Sequence, residues 1–245
     1  MTYLNIDEVK KRLNRLSSYE LDSNKYFDIV DEEMNRTLPN KERLAHVYKN
    51  LLEQVSEEIN SIDKHINLTP SCRLGCAFCC YFPIIITRLE ANMIIYSIET
   101  MNEKRRHEVI NHLQNYFANN EELYNDATAI NLYSEDVKLA YIQKQLPCPM
   151  LDTETNRCIA YEVRPLPCRT YVNYTDPAVC EENFMPEEAV SYEFLYEEYM
   201  GALNEAAQIV YESDDASFLN YPTDIYEVNY LPVFLKEWID NKSSP

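Results

Sequence analysis

Residues 40–80 read NKERLAHVYKNLLEQVSEEINSIDKHINLTPSCRLGCAFCC, and two patterns meet in that stretch. In its first half Leu44, Val47, Leu51, Val55, Ile59 and Ile62 advance by three or four positions. That spacing lays one apolar stripe along an α-helix over residues 40–62. Glu53, Glu57 and Glu58 fall off the stripe, and Pro39 with Asn40 supplies a break and an N-cap. In the second half Cys72, Cys76, Cys79 and Cys80 crowd into nine residues, and the helical period stops. A long amphipathic helix feeding a thiol-rich loop sets the expectation for the whole chain: helices as scaffold, cysteine loops as the part that carries chemistry.

Working outward, Pro70 and Pro83 bracket the first cysteine loop. Thr87-Arg88-Leu89-Glu90 fits a capping box, so a new helix is expected from Thr87. Val109, Leu113 and Phe117, four apart, predict a helix over 103–118, and a weaker one lies within 121–145. Residues 147–171, PCPMLDTETNRCIAYEVRPLPCRTY, hold four prolines and three cysteines, which excludes a long helix. Residues 148–151 and 157–161 are expected to form a short hairpin around the polar turn 152–156. Arg164-Pro165-Leu166-Pro167 forces an extended connection. Helix returns over 187–212, where Tyr192, Tyr196, Tyr199 and Leu203 share a face. With 20 tyrosines in the chain, that stripe reads as a core face with hydroxyls at its rim. The expected architecture is mainly α: a single domain over 1–245, with N-terminal helices in 1–66, a cysteine-cluster core in 70–182 and C-terminal helices in 186–240. In it two irregular cysteine-rich loops, one with a short β-hairpin, converge on a metal site.

The bulk numbers narrow the function. The chain has 245 residues, of which 46 % are hydrophobic, enough to bury a core without disulfide staples. Its two glycines, Gly75 and Gly201, argue against glycine-rich nucleotide-binding loops. A formal charge of −19 repels phosphate backbones and anionic lipid surfaces, so neither nucleic acid nor membrane is an expected partner. A protein or small-molecule partner stays open, as does the oligomeric state. The opening MTYLNIDEVKKRLNRL lacks the apolar core of a signal peptide, and no run of about 20 apolar residues occurs. The expected compartment is therefore the cytoplasm, where clustered cysteines serve as metal ligands more often than as disulfides.

All eight cysteines lie between positions 72 and 180: the four above, then Cys148, Cys158, Cys168 and Cys180. Thiolate sites commonly take four ligands, so eight suffice for two sites, or for one site with spare thiols. Zinc accepts four thiolates in a tetrahedron, while an iron–sulfur cluster tolerates more varied spacing. Both satisfy this pattern. Adjacent Cys79 and Cys80 do not easily point the same way, so either they reach different metals or one is an outer or exchangeable thiol. Bound thiolates leave net negative charge in an already acidic protein. Arg73, Arg157, Arg164 and Arg169, beside the loops, are candidates to hydrogen-bond sulfurs or loop carbonyls. His65, seven residues before Cys72, is a weaker candidate for a substitute ligand.

Cys72-x3-Cys76-x2-Cys79 resembles the cluster loop of radical S-adenosylmethionine enzymes, but a long helix precedes it and no βα alternation follows. A second resemblance covers more of the chain. CRLGCAFCC followed by YFPIIITRLE, and then CPMLDTETNRCIAYEVRPLPCRTY with its C-P-x-L, C-x-x-Y-E, R-P and C-R elements, resembles the YkgJ-type cysteine-cluster family. This is the CxxCxxCC zinc- or iron-chelating domain. The resemblance implies a metal domain using Cys72, Cys76, Cys79, Cys80, Cys148, Cys158 and Cys168, with Cys180 similar to a trailing family cysteine. It favours Arg164 and Arg169, which belong to the R-P and C-R elements, as cofactor-binding residues. Relatives of that family include flagellin lysine methylases with an iron–sulfur cluster. The expected function is a cytoplasmic cysteine-cluster protein holding zinc or an iron–sulfur cluster. The alternative is an iron–sulfur enzyme, either a redox enzyme or a relative of the protein-lysine methylases.

Overall fold

A computed structural model describes residues 3–243. Helix dominates, and the strands form only small pairs. The chain divides into two compact units. One draws on Met1–Phe78 and Arg164–Ala216, the other on Cys79–Val163 and Ser217–Pro245. Each unit is thus assembled from two stretches of chain, and each takes part of both cysteine loops.

The first unit is built on the long helix, Asn40–Ile66. Its apolar stripe is buried as the spacing requires: Leu44, Val47, Leu51, Val55 and Ile62 are fully enclosed. Helices Asn24–Met34 and Leu195–Tyr211 pack against it and against each other. They bring Tyr26 and Val30 from one side and Tyr199, Leu203 and Ala206 from the other. Of the expected tyrosine stripe, Tyr199 and Leu203 are buried on the helix, Tyr196 is half-buried, and Tyr192 is buried but precedes the helix. Three details differ from expectation. Leu166, within the connection expected to be extended, takes helical angles (φ −50°, ψ −46°) as it leads into Pro167–Thr170. Pro39 takes the N-cap position without a side-chain bond, and Asn40 lies inside the helix. The Asn40 amide instead donates to Ser213 Oγ at 2.5 Å and to the Asp215 carbonyl at 2.8 Å. The C-terminal helix also starts later than 187. Ala189–Ser191 is a strand paired antiparallel with Tyr171–Asn173, because that edge meets the chain leaving the second cysteine loop.

The second unit holds helices Arg88–Glu99 and Glu103–Asn119, covered by Leu231–Ser243. Thr87 caps the first of these in a complete capping box with Glu90. Strand Ile85–Thr87 pairs antiparallel with Val228–Tyr230. The weak helical region resolves into Glu121–Thr128 and Val137–Ile142, interrupted by turns around Asn131. Leu151–Asp152 and Arg157–Cys158 form the expected hairpin, shortened to two residues per strand. Its turn is fixed by Asp152, which accepts from Glu154 N at 3.0 Å and from Thr155 Oγ1 at 2.6 Å, and by Asn156 at φ +54°.

Replacing Leu51 by Ala removes buried methyl groups from the centre of the first unit. It should cost about 2–5 kcal/mol, read as a lowered urea midpoint with an unchanged slope.

Candidate metal centre

The two cysteine loops touch through backbone hydrogen bonds inside each unit. In the first, Ser71 donates both its N–H, at 2.8 Å, and its hydroxyl, at 3.1 Å, to the Asn173 carbonyl. The partner lies 102 residues away in sequence. In the second, the Cys148 N–H donates to the Cys80 carbonyl at 2.7 Å. The first loop is thus fastened near its start to the end of the second loop, and near its own end to the start of the second.

Local geometry in the first unit follows from a few residues. Cys76 N–H returns to the Arg73 carbonyl at 2.9 Å, closing a turn whose third residue, Gly75, has φ +91°. Only glycine takes that conformation without strain, so one of the chain's two glycines is used to fold the thiol loop back on itself. Pro165 accepts from Cys168 N at 3.0 Å, starting the helical turn Pro167–Thr170. Arg164 donates to the Cys168 carbonyl. Arg169 reaches the Arg164 carbonyl at 2.8 Å and Ser56 Oγ on the long helix at 2.7 Å. In these bonds both arginines hold loop carbonyls, fixing the backbone on either side of Cys168 against the bundle.

Asn173, which is 1 % exposed, reaches two sulfurs in this unit. Its backbone N–H donates to Cys72 Sγ at 3.4 Å and its side-chain Nδ2 to Cys180 Sγ at 3.6 Å. Sequence reasoning did not single out Asn173, since nothing in its neighbours VNYT marks it apart from its place four residues after the C-R element. The following residue ties the same strand to the long helix. Tyr174 donates to Asp63 Oδ1 at 2.5 Å and also meets the Tyr192 hydroxyl at 2.5 Å. Burial pushes the Asp63 carboxyl above its ordinary value, although the Tyr174 hydrogen bond pulls the other way. Burial, reinforced by the neighbouring Tyr192 and the Asp63 carboxyl, likewise holds the Tyr174 phenol neutral.

In the second unit Cys148 opens the hairpin, its carbonyl accepting from Leu151 N at 2.9 Å, and Cys158 stands opposite Leu151 in the two-stranded ladder. Tyr116 donates to the Pro147 carbonyl at 2.6 Å and Arg105 to the Ile159 carbonyl at 2.6 Å. His112 contacts the Pro149 carbonyl at 3.0 Å. One helix, Glu103–Asn119, therefore supports both sides of the cysteine hairpin. Burial, followed by the negative charge of Cys148, raises the Tyr116 and Tyr141 phenols. The Cys79 carbonyl accepts from Phe82 N at 3.1 Å in the turn that carries Cys80. His65 contacts the Arg15 carbonyl and the Ser18 hydroxyl through Nε2.

The eight cysteines are thiols, not disulfides. Among the described residues no three His, Cys, Asp or Glu side chains are gathered in an arrangement that holds a metal ion. The donor chemistry nonetheless fits a thiolate-bound metal. Sulfurs lie on loops that the backbone brings together, and N–H groups point at two of them, as they do around metal-bound thiolates. No helix is long and apolar enough to cross a membrane among the described residues.

Comparison with known proteins agrees with the motif. Residues 71–186 match the CxxCxxCC family model, described as "Putative zinc- or iron-chelating domain". No curated protein and no solved structure matches the chain.

The buried Asp63 yields a pH test. Its raised value means that the folded chain binds a proton more tightly than the unfolded one. Stability contributed by Asp63 is therefore full below the ordinary carboxylate value of 3.8 and is lost as pH rises to the raised value. Asp63→Asn keeps an acceptor for Tyr174 and should remove that component. The wild-type-minus-variant difference in unfolding free energy should fall with pH across that window and then level off. A difference independent of pH would contradict this assignment.

Proposed function

We propose that this chain, which belongs to the CxxCxxCC family through residues 71–186, is a metal-binding protein whose cysteine thiolates hold zinc or an iron–sulfur cluster. Its proposed ligands are Cys72, Cys76, Cys79, Cys80, Cys148, Cys158, Cys168 and Cys180. The observation that carries the proposal is the double fastening of the loops, Ser71 to Asn173 and Cys148 to Cys80. A fold that kept these cysteines only as apolar filler would bury them, whereas Cys72 is exposed and the other seven are half-buried. Such a fold would also have no need to aim N–H donors at sulfur.

A bound metal would supply positive charge that offsets the thiolates and would cross-link the loops. The protein's own part is to position sulfur and to neutralise the loop backbone. Arg164 and Arg169 contribute to this by occupying carbonyls around Cys168. The acidic surface, at −19 overall, suits a cytoplasmic protein whose partners are neither nucleic acid nor membrane.

Anaerobic purification, elemental analysis and a visible spectrum test the proposal and separate the metals. Zinc gives a colourless protein with stoichiometric Zn, and a cluster gives a brown protein that bleaches in air. Cys76→Ser or Cys168→Ser should abolish metal content. Unchanged metal stoichiometry in both variants would discard this ligand assignment.

A further inference from the structure

We infer that Asn173 positions Cys72 and Cys180 as ligands of one metal centre. The inference rests on the metal-binding reading above and extends it to a residue that no motif marks and to the cysteine that the motifs place least securely.

Every polar atom of Asn173 has a partner. Its carbonyl accepts from Ser71 N and Oγ, and its N–H donates to Cys72 Sγ. Side-chain Oδ1 accepts from Thr175 N at 2.9 Å and from Thr175 Oγ1 at 3.0 Å. Side-chain Nδ2 donates to the Asp176 carbonyl at 3.3 Å and to Cys180 Sγ at 3.6 Å. The orientation of the amide follows from chemistry. A backbone N–H can only donate, so the atom facing Thr175 N must be the oxygen, and the nitrogen must then face Cys180. Asp176 Oδ1 meanwhile accepts from Ala178 N at 3.0 Å, shaping the turn into Val179–Glu182, the short helix that carries Cys180.

One buried residue therefore addresses two sulfurs from two loops, through its main chain and through its side chain. An N–H donor stabilises a thiolate more than a neutral thiol, so this arrangement favours the ligating form of both cysteines. It also fixes where the two sulfurs lie relative to one another. Cys72 is exposed and Cys180 half-buried, so neither is kept for packing alone, and a neutral thiol is too weak an acceptor to account for both donors.

The test uses the protein as purified anaerobically, with the metal it carries, and with iodoacetamide alkylation read at each cysteine by mass spectrometry. Metal should slow alkylation of Cys72 and Cys180 together, relative to protein stripped with EDTA. Asn173→Asp preserves the acceptor for Thr175 and replaces the donor facing Cys180 by an oxygen. It should release metal to EDTA about tenfold faster and, while metal is still bound, open Cys180 to alkylation ahead of Cys76 and Cys168. A purely structural role would expose all four alike. Equal alkylation of Cys180 with and without metal, in protein whose Cys72 is protected, would overturn the inference, as would wild-type release from a folded Asn173→Asp variant. Should that variant fail to fold, the wild-type protection pattern alone decides. Purified protein that carries no metal would refute the metal-binding reading itself.

Discussion

The buried stripe of Asn40–Ile66 is what lets hydrogen bonds join the two cysteine loops, Ser71 to Asn173 in one unit, while Cys148 bonds to Cys80 in the other. Their energetics explain why so much helix surrounds so little loop. Closing a loop of about 100 residues costs about 4–5 kcal/mol in chain entropy. A single hydrogen bond returns about 1 kcal/mol net. The Ser71–Asn173 bonds therefore cannot hold the loops together unaided. The closure is supplied by the buried stripe of Asn40–Ile66 against Asn24–Met34 and Leu195–Tyr211, which fixes the chain on both sides before the loops meet. The polar links from Tyr174 to Asp63 and from Arg169 to Ser56 then transmit that rigidity to the strand and turn that bear the thiols.

A similar division of labour holds in the second unit. Helix Glu103–Asn119 contributes Arg105, His112 and Tyr116 to carbonyls on the cysteine hairpin, while its apolar side, Val109, Leu113 and Phe117, is buried in the unit's core. The loop backbone, which has little regular structure of its own, finds its hydrogen-bond partners on a helix. This agrees with the general need of buried carbonyls for donors. Loop positions that look irregular in isolation are thus determined by residues far away in the chain.

The helices were legible because their apolar periods are strong. The stripe from Leu44 to Ile62, the capping box at Thr87 and the Val109–Phe117 repeat each produced an element where the spacing demanded one. Local rules failed where tertiary pairing wins. Asn40 gave up its cap role to bind Ser213 and Asp215, and residues 189–191 became a strand because Tyr171–Asn173 offered an edge. The cysteines were visible as a set, and the family match over 71–186 follows the same motifs. The roles around them were less visible. Arginines beside thiols could face either sulfur or carbonyl, and only geometry shows that Arg164 and Arg169 each donate to a loop carbonyl. Asn173 carries no spacing signal, since its importance comes from reaching a sulfur 101 residues away.

The central claim is that thiolates from both loops share metal. X-ray absorption at the metal edge of the anaerobically purified protein addresses it most directly. The account predicts a first shell of sulfur alone, at about 2.3 Å for zinc, that collapses when either Cys76 or Cys168 is replaced by serine. A first shell of nitrogen and oxygen, or a sulfur shell indifferent to the loss of both, would contradict it.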